Sequence, residues 1–126
     1  MSVVREVSYC RHGKVAVIEA PEYFDACNAP RVRETAIALQ SGGVTGIVFD
    51  LAGVTLIDNA ALAVIAATVI RLGPAGGRVA VTGAAPRLAR LLKETRLATI
   101  APMFETSKDA VTFLQARDGT GSEAAQ

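Results

Sequence analysis

The chain of 126 residues contains no tryptophan, and aromatic residues of all kinds make up 5% of it. Its core must therefore be assembled from Val, Ile, Leu and Ala, which supply most of the 51% apolar content. No charge of either sign dominates, since the formal net charge is +1 and the basic residues are scattered. That removes the electrostatic signature of a nucleic-acid binder, in which clustered cations alternate with stacking aromatics. Cysteine is scarce, with only Cys10 and Cys27. They form no CxxC pair and no Cys/His cluster, so a metal site is not expected. A disulfide between them is open but not indicated, and two reduced thiols is the simpler reading. The single histidine, His12, falls in "RHGK", read as a turn around Gly13, and no acid or nucleophile is paired with it by motif. No apolar run reaches the roughly twenty residues that a membrane-spanning helix requires. The amino-terminal "MSVVREVSYCRHGK" lacks the apolar core of a signal peptide. A cytoplasmic location is the resulting expectation.

What is present is an alternation of short β-branched runs with helical patterns. Val3 to Tyr9 reads as a strand and "VAVIEA" (15–20) as its hairpin partner. A helix follows, with Asp25 or Asn28 placed to cap it and Pro30 in its first turn. Val32, Ala36, Ile37 and Leu39 form its apolar stripe, and Gly42-Gly43 ends it. "GIVFDLAG" has the sparse charge of a strand covered on both faces. The almost wholly apolar helix Asn59 to Leu72 comes next, then "GPAGG", the strand "RVAVTG" and the amphipathic helix "APRLARLLKETRL". A short strand at "MFE" precedes a last helix, "TSKDAVTFLQA", capped by Thr106 or Ser107. The remainder, "RDGTGSEAAQ", is polar and small and is expected to be disordered. This order predicts one α/β domain over 1–115, a mixed sheet of four to five strands with about four helices packed on it, and a flexible tail at 116–126.

The corner Asp58-Asn59 is where a strand is expected to run directly into a helix. Unpaired N–H groups and the positive end of the helix dipole meet there. Both residues are good caps, and helix starts are also natural anion sites. Catalytic alternatives fit poorly. "GPAGG" follows a helix and precedes a strand, the reverse of a dinucleotide loop. Asp50 lacks the acidic pair that a phospho-accepting receiver domain carries on its first strand. No nucleophile elbow occurs. The chain is expected to be no enzyme and to need no cofactor.

The ordered set Asp50, Leu51, Val54, Ile57, Asp58, Leu62, Gly76, Gly77 and Leu97 resembles the STAS domain of bacterial anti-sigma factor antagonists. That family's pattern is Asp-Leu-x-x-Val-x-x-(Ile/Val)-Asp-Ser-(Ser/Thr/Ala)-Gly-Leu, followed by a helix, a Gly-Gly turn, a strand and a helix ending Leu-x-x-x-Gly-Leu. Upstream, Asp25 falls on the Asp of the family's "Gly-Glu-Leu-Asp" segment. The resemblance implies a regulator that binds an anti-sigma factor, often a serine kinase of the histidine-kinase-like ATPase class, and so frees sigma factor. It implies that the kinase phosphorylates the Ser after the Asp, adding about −1.5 to −2 charges that break the interface. This sequence has Asn59 at that Ser, Ala61 at the following Gly, Arg96 at the Gly before Leu97 and Glu22 at the Gly before the Asp25 segment.

The expected partner surface is Asp25, Asn28, Thr55, Asp58, Asn59, Ala60 and Ala63, with no phosphorylation at Asn59. Thr55 or Thr68 would be the substitute acceptors if the switch had moved. The alternative reading is a non-switching STAS subunit of a transporter ATPase complex or a signalling scaffold.

Overall fold

The computed structural model describes residues 7–116. Five strands form the main sheet in the order β1-β2-β4-β6-β7. They are β1 (Tyr9–His12), β2 (Val15–Glu19), β4 (Gly46–Asp50), β6 (Arg78–Thr82) and β7 (Met103–Phe104). All neighbours pair in parallel except β1, which is antiparallel to β2. Two further strands, β3 (Tyr23–Phe24) and β5 (Leu56–Ile57), pair in parallel as a separate ribbon. The helices are α1 (Ala29–Ser41), α2 (Asn59–Leu72), α3 (Pro86–Glu94), α4 (Leu97–Ile100) and α5 (Ser107–Ala116). The expected mixed sheet and its helical layers are present, with one short helix more than the sequence pattern indicated.

The three central strands are covered on both faces, and period-2 alternation sorts their side chains. Ala16, Ile18, Ile47, Phe49, Val79 and Val81 point into the larger core beneath α1 to α4. Val15, Val17, Val48 and Ala80 point the other way, against Ala110 and Leu114 of α5. Fully burying each of the larger side chains contributes about 1.5–3 kcal/mol, so the aliphatic composition is sufficient without tryptophan.

Several boundaries differ from the sequence expectation. The first strand was expected over Val3 to Tyr9. The observed β1 begins at Tyr9 and ends at His12, opposite Val15, and residues 3–6 lie outside the described residues. The hairpin needs only Gly13-Lys14 as its connection, and Gly13 supplies φ +66. His12 is therefore a strand residue, not a turn residue. The strand expected to run into the Asp58-Asn59 corner stops at Asp50, and β5 is a separate two-residue strand before the corner. The helix expected over "APRLARLLKETRL" breaks after Glu94, because Arg96 takes a left-handed conformation (φ 67) where the family has glycine. The tail beyond Ala116 lies outside the described residues.

Candidate functional site

β2, β4 and β6 run in the same direction and in register, so Glu19, Asp50 and Thr82 end level with one another. The chain then leaves the sheet through loops that rise above these carboxyl ends. β3 comes from the first loop and β5 from the second, and their pairing, Tyr23 with Leu56 and Phe24 with Ile57, ties the two loops together. Phe24 is buried and anchors the ribbon in the core, while Tyr23 and Leu56 are 54% and 47% exposed.

Asp58 is the fastener of this assembly. One carboxylate oxygen, Oδ1, accepts from the backbone N–H of Ala60 at 2.9 Å and of Ala61 at 3.2 Å, capping α2. The other, Oδ2, accepts from the N–H of Ala26 at 3.1 Å, in the loop before α1. A single side chain thus satisfies the start of one helix and clamps the approach to another, and its charge sits at the favourable end of the α2 dipole.

Asp25 organises the same loop from within. Its Oδ1 accepts from the N–H groups of Cys27 at 3.1 Å and Asn28 at 3.3 Å, and its carbonyl accepts from Ala29 at 2.7 Å. Asn28 occupies the cap position of α1 but caps nothing with its side chain. Its Nδ2 donates instead to the Tyr23 carbonyl at 2.6 Å. Thr55 donates its backbone N–H to the Glu22 carbonyl at 2.9 Å and accepts from Arg87 at 3.0 Å.

Asp25, Asn28, Thr55, Asp58, Asn59 and Ala60 are thus gathered at one end of the molecule, and Ala63 lies on the exposed side of α2 one turn further on. The two corner residues do not share the capping role that either could fill by type. Asp58 performs it. Asn59 is the first helical residue, is exposed, and makes no side-chain hydrogen bond among the described residues. Ala61, standing at a family glycine, is fully buried inside the first turn of α2, so the methyl is accommodated as core. Thr68 is also fully buried, with its hydroxyl donating to the Val64 carbonyl at 2.7 Å, and is inaccessible to a kinase. Thr55 is exposed.

Sequence reasoning missed Ala26, whose contribution is a backbone N–H invisible to residue type. Arg87 gives no sign of its bond to Thr55 in the sequence either, where it lies only off the apolar face of its helix. Cys10 and Cys27 are both exposed and unpaired with each other, and Cys27 lies in the loop that Asp25 and Asp58 hold. Among the described residues no group of His, Cys, Asp and Glu could hold a metal ion. Among them, too, no helix is long and apolar enough to cross a membrane.

Known structures share this architecture. An anti-sigma factor antagonist from Mycobacterium paratuberculosis is 25% identical, with a TM-score of 0.76 over 86% of this chain and 92% of that one. An anti-sigma-factor antagonist (STAS) domain protein from Planctomyces limnophilus is 17% identical, with a TM-score of 0.78 over 88% of this chain and 99% of that one. A sulfate transporter family protein from Wolinella succinogenes is 14% identical, with a TM-score of 0.72 over 84% and 88%. No significant match was found among curated proteins. The STAS domain family model matches residues 7–110, and the chain belongs to the STAS domain family.

Proposed function

We propose that this protein is an anti-sigma factor antagonist of the cytoplasm, and that it binds an anti-sigma factor of the histidine-kinase-like serine kinase class through the Asp58-Asn59 corner. The observation that carries this reading is Asn59 itself. It is exposed at the first position of α2, beside a carboxylate committed to three backbone N–H groups. A group at this position projects from a rigid corner, and rigidity lowers the entropic cost of binding. The contact surface comprises Asp25, Asn28, Thr55, Asp58, Asn59, Ala60 and Ala63.

In the family pattern, the residue after the Asp is a serine that the kinase modifies. A phosphate there would place about −1.5 to −2 charges next to Asp58, and like charge repels both the corner and any acidic partner group. The Asn59 carboxamide has no hydroxyl to receive phosphate. The antagonist is therefore held in its binding-competent form, and its control passes to its abundance or to its partner. The test is incubation with the kinase and ATP. Intact mass should remain unchanged for this chain and rise by one phosphate for Asn59→Ser. Phosphate on Asn59 itself would contradict the reading.

A second reading has support in the Wolinella succinogenes neighbour, a sulfate transporter family protein of the same fold. Under it, the domain is a non-switching subunit of a transporter or scaffold assembly. Affinity purification separates the two: recovery of a kinase-like anti-sigma factor favours the first, and recovery of a permease or transporter ATPase favours the second.

A further inference from the structure

A cleft of about 390 Å³ lies between β5 and α3, beside the corner and sharing only Thr55 with it. Leu56, Ile57, Leu88 and Leu91 give it an apolar floor, with Arg87, Arg90 and Glu94 on its rim. Leu56 is 47% exposed, and its ribbon partner Tyr23, at 54%, extends the apolar strip beyond the cleft. Exposed apolar side chains that adjoin in one patch, unlike ones scattered singly, are the kind of surface a partner covers.

The rim says what chemistry fits. Arg87 is held by donating to the Thr55 carbonyl at 3.0 Å, which spans the cleft from α3 to the residue preceding β5. A guanidinium carries five N–H donors in a planar fork, so one bond to a carbonyl orients the group and leaves donors to engage a carboxylate. Arg90 follows on the same exposed side of α3, one turn away. Two cations against the single carboxylate of Glu94 leave the rim net positive, and such an apolar trough suits an amphipathic helix carrying leucine-like anchors and flanking carboxylates placed at the Arg87–Arg90 end.

We propose that the β5–α3 cleft binds an acidic amphipathic segment of a partner protein, with its apolar face on Leu56, Ile57, Leu88 and Leu91 and its carboxylates on Arg87 and Arg90. This goes beyond the corner interface and does not depend on it. A partner engaging both would be held at two points, one sensitive to charge at Asn59 and the other indifferent to it.

The probe is a labelled helical peptide of about four turns, with Leu at i, i+3, i+4 and i+7 and Glu beside them, titrated into the full chain. Binding at about 100 µM or tighter is expected, with backbone amide shifts concentrated at Thr55–Ile57 and Arg87–Glu94. Arg90→Glu, which leaves the Arg87–Thr55 bond in place, should weaken it about fivefold, and Arg87→Glu with Arg90→Glu about tenfold or more. Leu56→Ser should weaken it without altering its salt dependence, and Asn59→Asp should leave it unchanged. Absence of binding, shifts centred elsewhere, equal binding of the same peptide with Lys for Glu, or binding of phosphatidylglycerol vesicles in preference to the peptide would each overturn the proposal. The corner is tested separately, by the Asn59 variants.

Discussion

The two ends of one sheet differ in how their connections are built. At the amino ends of the parallel strands the turns are tight and held mainly by backbone. Gly13-Lys14 closes the hairpin, and the Thr45 carbonyl accepts from Arg78 N–H at 3.0 Å. Side chains add to this from outside the turns, as where Arg11 donates to the Gly13 carbonyl at 2.7 Å and the Gly42 carbonyl at 3.1 Å, and the Arg78 guanidinium lies 5.0 Å over the Phe113 ring. At the carboxyl ends the loops are longer and are held by side chains bonding to backbone, chiefly Asp25, Asp50, Asp58 and Arg87. The charges divide accordingly. Arg11, Lys14, Arg71 and Arg78 belong to the amino end, while the acidic residues Glu19, Glu22, Asp25, Asp50 and Asp58 gather at the carboxyl end, with Arg31 and Arg87 among them. The amino end is made to close the fold. The carboxyl end is where the proposed partner surface lies, at the edge of the strands where α/β folds bind their ligands.

If that division is right, a substitution at the amino end should cost stability alone. Gly77 is the most sensitive position. A Cβ there would stand 2.8 Å from the Leu72 Cβ and press on the Thr45 carbonyl. Gly77→Val is expected to cost about 3 kcal/mol or more, seen as a fall in thermal midpoint, with partner affinity unchanged for the fraction that remains folded. At the carboxyl end, Asp58→Ala should cost about 2 kcal/mol, because the N–H groups of Ala26 and Ala60 lose their acceptor and that of Ala61 keeps only the residue 58 carbonyl, and should also abolish partner binding. Asp58→Asn sharpens the point. An amide still caps α2 through its oxygen but turns a donor towards Ala26 N–H, so urea unfolding should show a loss of about 1 kcal/mol, less than for Ala. A smaller effect of opposite sign is expected at Arg96. Its left-handed conformation costs a non-glycine residue about 1–2 kcal/mol, partly offset by the greater unfolded-state entropy of glycine. Arg96→Gly should therefore stabilise the protein by about 0.5–1 kcal/mol in the same assay. Asn59→Ser should alter stability by less than about 0.5 kcal/mol, since the side chain is exposed and caps nothing.

The sequence discloses the parts of the molecule that repeat a pattern long enough to read. β2, β4, β6 and the whole of α2 are legible because five or more residues carry a consistent apolar period. The ribbon of β3 and β5 is not legible, because two residues have no period and the pairing joins segments more than thirty positions apart. The break at Arg96 is hidden for a different reason. The amphipathic pattern of "RLARLLKE" continues smoothly into "TRL", and residue type gives no warning that an arginine will adopt a glycine conformation. At the corner, the side chains are legible by type but not their division of labour. Asp58 and Asn59 are equivalent as capping residues on paper, and only the register of α2 makes one the cap and leaves the other exposed. The apolar face of α3 was visible as core, yet the same helix also lines the cleft, because Leu91 is only partly covered.

On the proposed function, an exposed and uncharged residue 59 keeps the corner ready for its partner. The most direct test is the affinity of this chain for a histidine-kinase-like anti-sigma factor from the same cell, measured by calorimetry for Asn59 and for Asn59→Asp. Tight binding is expected for the first and binding weaker by about tenfold or more for the second, with both proteins equally folded. Equal affinity would show that residue 59 lies outside the interface and would contradict the account.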